Sequence, residues 1–322
     1  MELLEVQNLR VSFRQKKQLI QAVRGVSFSI RGERESVGIV GESGSGKSVS
    51  GLAIMRLIEE PPGRVSAERL MLSGVDLLAQ RDRQMQSLRG REISMVFQEP
   101  MSSLDPVFTI GQQLVETIVL HQRATRKQAK EIAAELLRKV EIPEPKHALE
   151  SYPHELSGGM RQRAMIAIAL SCHPRILIAD EPTTALDVTV QAQVLQLIKD
   201  LQGELGMALI LITHDLGVIA DTTDRIVVMY GGKILETGSA IDIFESAAQP
   251  YTQALLKSIP RAAGGRREPL YAIEGAAPNP MNPPGGCPFH PRCPVRMDVC
   301  SERFPDGSRL SDGHEAWCWR LR

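Results

Sequence analysis

The 322-residue sequence has no excess charge of either sign, no long apolar run and few cysteines, and each shortage excludes something. Basic and acidic residues balance to a formal net charge of zero and are spread along the chain, so there is no electrostatic footprint for bulk nucleic-acid binding. No apolar segment approaches the roughly 20 residues of a membrane-spanning helix. The start, Met1-Glu2-Leu3-Leu4-Glu5, lacks the basic region and apolar run of a signal peptide. A soluble, cytoplasmic chain is expected. Its length exceeds that of a usual single domain, which predicts one large or two unequal domains. Four of its five cysteines fall between Cys287 and Cys318, and in a reducing compartment such clustering favours metal ligation over disulfides.

Among what is present, the stretch Gly41-Glu42-Ser43-Gly44-Ser45-Gly46-Lys47-Ser48 comes first. It fits G-x-x-x-x-G-K-[ST] and follows an apolar run, Val37 to Val40, that reads as a buried strand. Its glycines let backbone N–H groups turn inward, and a helix beginning near Gly46 points its positive dipole end at the same place. Lys47 is expected to reach the β- and γ-phosphates of a nucleotide, and the Ser48 hydroxyl to ligate Mg²⁺. The following helix is expected to run to Ile58 and to end at Pro61-Pro62-Gly63.

Ahead of this loop, Leu3 to Ile30 alternates apolar and polar positions, the pattern of antiparallel strands with one wet face. Phe13 ends the first run, and on pattern alone it is a core or edge residue. Behind the loop, Glu92 to Phe97 reads as a second core strand that hands over to Gln98, and Ile110 to about Glu150 is helical in period. Ser157-Gly158-Gly159 opens another helix, whose N-terminal amides form a second anion site. One nucleotide in one chain does not need two such sites far apart in sequence, so the second predicts a dimer. Ile176 to Asp180 is a branched, apolar run suited to a parallel strand buried on both faces. At its end Asp180 could hold Mg²⁺, and Glu181 could orient and partly deprotonate an attacking water. Ala208 to Thr213 delivers His214 to a strand end in the same way.

Beyond a short amphipathic helix at Pro250 to Ile259 the chain becomes rich in Pro, Gly and Arg, and a weak core is expected. There Cys287, Cys293, Cys300 and Cys318 could hold a 4Fe-4S cluster or a zinc ion, with His290 and His314 as further zinc candidates. Spacing alone leaves cluster, zinc and unligated thiols open. Cys172 reads as a buried small residue.

The ordered set GESGSGKS, Gln98, LSGGM, ILIADE, Ala185-Leu186-Asp187 and His214 closely resembles the ATP-binding subunits of ABC transporters, over residues from about 1 to 250. QEPMSSLDP, YPHELSGGM, ADEPTTALDVTVQAQ, PYTQALL and the cysteine-bearing tail narrow the resemblance to the dipeptide/oligopeptide importer subfamily, most nearly its D-type ATP-binding subunits. The resemblance implies an α/β P-loop NTPase of the ABC type over 1–249, with a mixed core sheet, an antiparallel β subdomain and a helical subdomain at about 98–172. A small, irregular, cysteine-ligated domain would follow at 250–322. Phe13 would stack on adenine, while Gly41, Ser43, Gly44, Ser45, Gly46, Lys47 and Ser48 would hold phosphate and Mg²⁺. Gln98 would sense Mg²⁺ and the attacking water. Ser157, Gly158 and Gly159 would grip the γ-phosphate of ATP held by the opposite subunit, Asp187 would line the dimer seam, and His214 would act as the switch. The four tail cysteines would carry a 4Fe-4S cluster in preference to zinc. The implied function is ATP hydrolysis that energises uptake of di- or oligopeptides through a cycle of dimerisation. Import of nickel or another small solute, or a non-transporter role in DNA repair or translation, are the alternatives. Implied partners are a second, related ATPase in a heterodimer, two integral membrane permease subunits and an extracytoplasmic peptide-binding protein, with no nucleic acid. The chain would sit peripherally on the cytoplasmic face of the inner membrane. One departure from the family pattern, Arg34-Glu35-Ser36, makes the approach to the phosphate loop longer than usual and leaves the local strand register open.

Overall fold

The computed structural model describes residues 2–16, 18–99, 103–184, 186–259 and 271–321, so Pro100, Met101, Ser102 and Ala185 of the expected motifs lie outside the described residues. The chain divides into two compact units. The first comprises Met1–Arg31, Ser36–Leu78 and Leu211–Arg322, the second Gly32–Glu35 and Ala79–Ile210.

In the first unit the alternating N-terminal pattern gives two long antiparallel strands, Leu4–Gln15 and Gln18–Ile30. Leu4, Val6, Leu9 and Val11 on one and Val23, Val26 and Ile30 on the other are buried, with the alternation broken where the register shifts between Val6 and Leu9. Gly63–Ser66 and Arg69–Leu72 pair with the other edge of Leu4–Gln15. A second, mixed sheet begins with Ser36–Val40, every residue of which is buried. It runs parallel to Arg225–Tyr230, which turns through Gly231-Gly232, at φ 54° and 80°, into the antiparallel strand Lys233–Ser239. The register left open by Arg34-Glu35-Ser36 has a local solution. Arg34 is left-handed (φ 69°), and the strand starts at Ser36, whose N–H and hydroxyl both donate to Asp224 Oδ2, at 2.8 and 2.6 Å.

The helix after the phosphate loop is shorter than its sequence pattern. It spans Lys47–Ile54 instead of reaching Ile58, because Arg56 turns left-handed (φ 53°) and its guanidinium donates to the carbonyls of Leu77 (2.8 Å) and Leu78 (3.1 Å).

The tail departs most from expectation, since its described part packs on a definite core. Tyr230, Tyr251 and Phe289 are fully buried against one another, with ring centroids 4.4 to 5.4 Å apart. A terminal hairpin, Ser308–Ser311 and His314–Ala316, adds to the edge of Lys233–Ser239. Buried Glu236 ties it down, accepting from the N–H groups of Ala248 (2.7 Å) and Gln249 (3.2 Å) and pairing with His314 Nε2 at 2.9 Å. Phe289→Ala should therefore destabilise the protein by about 3–5 kcal/mol, the usual cost of emptying a buried aromatic site. Urea unfolding checks this, and a midpoint equal to that of the unsubstituted chain would mean that the cluster does not support the fold.

In the second unit Ile93–Val96 runs parallel to Ile176–Asp180, and all the residues of both strands are buried. The helical block resolves into Ile110–Gln122, Arg126–Lys139 and Pro145–Glu150. Thr109 and Thr125 divide it, each capping a helix start reciprocally with a glutamine three residues on. Leu114, Ile118, Ala129, Ala133 and Leu137 form its buried face. The helices Gly158–Leu170 and Val188–Leu205 complete the unit, and the strand Ala208–Thr213 starts in it and ends in the first. Among the described residues no helix is long and apolar enough to cross a membrane.

Candidate functional site

The first unit holds the phosphate loop. Its backbone follows a path that side chains would block: a Cβ on Gly41 (φ 152°) would stand 2.0 Å from the Met229 carbonyl, and one on Gly46 (φ 98°) 2.5 Å from that of Ala22. Gly44 (φ 78°) faces open space, which leaves the mouth of the loop free for a phosphate to approach the backbone. Lys47 is buried, and its ammonium spans the loop by donating to the carbonyls of Gly41 (2.6 Å) and Glu42 (3.1 Å). Ser45 is buried, Ser43 exposed and Ser48 half-buried. These residues make a preformed anion cradle with a fixed cation at its floor, and they fit a nucleotide phosphate chain.

Two aromatic residues and an arginine from the C-terminal half of the chain complete the loop's surroundings. The Glu42 N–H donates to Tyr251 Oη at 2.9 Å, and Arg292 Nη1 donates to Glu42 Oε2 at 2.7 Å and to Tyr230 Oη at 3.0 Å. Burial raises the pKa of both phenols, so they stay neutral. Burial lowers that of Arg292, but its bonds to Glu42 and Tyr230 outweigh this and leave it raised overall. Sequence reasoning missed Tyr251 and Arg292. Their partners lie some 200 residues away, and only the unexplained acid in the loop hinted at them. A polar cavity of about 360 Å³ opens here, lined by Glu42, Ser43, Arg292 and the exposed His214 among others. His214 thus borders the same space as the phosphate loop. Phe13 is half-buried and pairs with Ile20 and Gly63 across its sheet.

The second unit gathers the acids. Asp180 is buried at the end of its strand. Glu181 leaves the strand in the left-handed region (φ 43°), a conformation uncommon for a residue with a Cβ. Its Oε2 accepts from Gln98 Nε2 at 3.1 Å and from Thr184 Oγ1 at 3.0 Å, so residues 83 positions apart in sequence meet at this carboxylate. Ser157 caps the helix Gly158–Leu170, accepting from the Met160 N–H at 3.3 Å. Asp187 caps Val188–Leu205, accepting from the Val190 N–H at 3.0 Å. These two helix starts are neighbours: a Cβ on Gly159 would stand 3.2 Å from Val190 Cγ1, and one on Gly158 3.8 Å from Leu186 Cδ2.

An ABC transporter family model matches residues 23–184. The chain belongs to the ABC transporter family. A second model, the C-terminal region of oligopeptide/dipeptide transporters, matches residues 235–300 of this ABC protein. Among curated relatives, the dipeptide transport ATP-binding protein DppD of Escherichia coli is 48% identical over 318 residues, covering 99% of this chain and 96% of its own. The protein of the same name from Bacillus subtilis is also 48% identical, covering 99% and 94%. A solved dimeric ATP-binding cassette, bound to ADP and phosphate after hydrolysis, matches at 28% identity with a TM-score of 0.65, over 74% of this chain and 98% of that one. The ABC assignment brings ATP binding and hydrolysis with it.

The cysteine-ligated tail domain, with its 4Fe-4S cluster or zinc, is not supported. Cys287, Cys293, Cys300 and Cys318 line one small pocket, of about 20 Å³. Among the described residues no group of three or more His, Cys, Asp or Glu is placed to hold a metal ion. Of the two histidines, buried His314 pairs with Glu236 through Nε2, and His290 Nδ1 meets the Cys287 carbonyl at 2.9 Å. Burial, and to a lesser degree the neighbouring thiols, push the Cys287 thiol up to about 12. Cys172 is buried as expected, and burial raises its pKa as well.

Proposed function

We propose that this chain is the ATP-hydrolysing subunit of an ABC importer that energises uptake of di- or oligopeptides. One observation carries the reading: an ABC cassette match at 23–184 is followed in the same chain by the C-terminal region of oligopeptide/dipeptide transporters at 235–300. We place the ATPase domain at 1–249, with the helical subdomain at about 98–172, and the tail at 250–322.

In this reading Phe13 stacks on adenine, and the loop from Gly41 to Ser48 binds the phosphates through its amides and Lys47. Ser48, Gln98 and Asp180 are the proposed Mg²⁺ ligands, and the ion would offset phosphate charge when bound. Glu181 takes a proton from the attacking water while Gln98 orients it, and His214 contacts the γ-phosphate. Ser157, Gly158 and Gly159, with Asp187 beside them, serve the nucleotide of a second, related ATPase chain. The helix start of Gly158–Leu170 suits this role because its free N–H groups favour an anion. ATP then joins the two ATPases, moving two integral permease subunits, and hydrolysis releases them. An extracytoplasmic binding protein delivers the peptide, and this chain lies peripherally on the inner face of the cytoplasmic membrane.

Purification of the tagged chain from mild-detergent membranes tests the assignment. Two integral membrane proteins and a second ATPase are expected to co-elute in stable ratio. A chain recovered wholly from the soluble fraction, without membrane subunits, would reject the importer reading.

A further inference from the structure

The phosphate loop carries one residue that phosphate chemistry does not explain. Glu42 puts a carboxylate in a loop built to attract anions, and a bare charge there would oppose ATP. The structure meets this with Arg292, whose side chain is only 7% exposed. Its Nη1 donates to Glu42 Oε2 at 2.7 Å, while Nε and Nη2 are fixed by the carbonyls of Glu274 and Ile273, both at 2.9 Å. The guanidinium is thus held by two backbone carbonyls while Nη1 meets both Glu42 Oε2 and Tyr230 Oη. Glu42 is fixed in turn by its N–H to Tyr251 and by its carbonyl to Lys47, the cation expected to meet the phosphates. Tyr251 and Tyr230 pack around Phe289 and Arg292 lies against Tyr230, so the C-terminal region reaches the nucleotide loop at Glu42 through the Arg292 ion pair and the Tyr251 hydroxyl.

We propose that Arg292 is a positioning residue for ATP binding: it neutralises Glu42 and fixes the loop's first turn, so that ATP affinity depends on the C-terminal region being docked. The inference rests on the ATPase reading above, and the experiment separates the two. The full-length chain is titrated with a fluorescent ATP analogue and Mg²⁺. Absence of binding by the unsubstituted chain would reject the ATPase reading itself. Given binding, Arg292→Ala should weaken affinity roughly tenfold, the order expected of one like-charge repulsion across the loop at protein dielectric. Adding Glu42→Gln to Arg292→Ala should restore most of that loss, because the repelling charge is gone. A purely structural arginine would not be rescued in this way. Glu42→Gln alone, which leaves the arginine's charge uncompensated, should bind the analogue at least as tightly as the unsubstituted chain and keeps the idea testable if Arg292→Ala folds poorly. Unchanged affinity in Arg292→Ala, a loss that Glu42→Gln does not reverse, or weaker binding by Glu42→Gln alone would each overturn the proposal.

Discussion

Glu181→Gln should lower the ATP turnover number by 10²- to 10⁴-fold, the range that a positioned general base supplies, while ATP is still bound. The amide keeps the shape of the carboxylate and can still meet Gln98 and Thr184, so the left-handed turn at φ 43° has no reason to change. What is lost is the capacity to take a proton from water. Bound ATP that is not hydrolysed should accumulate a dimer, visible by size exclusion with ATP and absent with ADP. Turnover near that of the unsubstituted protein would remove Glu181 from the role of base.

Lys47→Ala is the second large effect, and it falls on binding instead of turnover. Lys47 is buried and holds the carbonyls of Gly41 and Glu42, so its removal takes away both the loop's cation and the brace at its floor. Charge-assisted hydrogen bonds contribute about 1.5–3 kcal/mol each, so affinity for ATP should fall roughly 10- to 150-fold for the loss of a single phosphate contact. Equilibrium binding of a fluorescent ATP analogue measures it. A variant that binds normally but hydrolyses slowly would assign the lysine to the chemical step.

The contrast between these residues shows what was legible in the sequence. The strands Ser36–Val40, Ile176–Asp180 and Ala208–Thr213 are buried along their whole length, so short runs without charge, four to six residues long, announced them. The helix Val188–Leu205 has local signals at both ends, where Asp187 caps the start and Gly206, at φ 70°, ends it. Local signals fail where the decisive partner is remote. Nothing near Arg56 foretells that its side chain will bond carbonyls at 77 and 78 and stop the helix early. The tail looked coreless because its aromatic residues are scattered, and Phe289 packs on residues 59 and 38 positions upstream. The cysteine cluster was legible as a cluster, since all four thiols line one pocket, but no group placed to hold a metal is found among the described residues.

The terminal hairpin has a further consequence, for the behaviour of shortened chains. Residues Glu236 and Thr237 of Lys233–Ser239 pair with Ala316 and Glu315, and the outermost strand, Ser308–Ser311, is only four residues long with exposed Arg309 beside Asp312. A short, charged border of this kind resists pairing with other molecules, whereas an open apolar border invites it. A version of the protein cut back to the cassette would uncover the backbone of Lys233–Ser239 and strip Glu236 of His314, leaving a sticky margin with a partly unpartnered acid. Self-association of such a fragment would reflect that uncovered margin and would not bear on the dimer proposed to form around ATP.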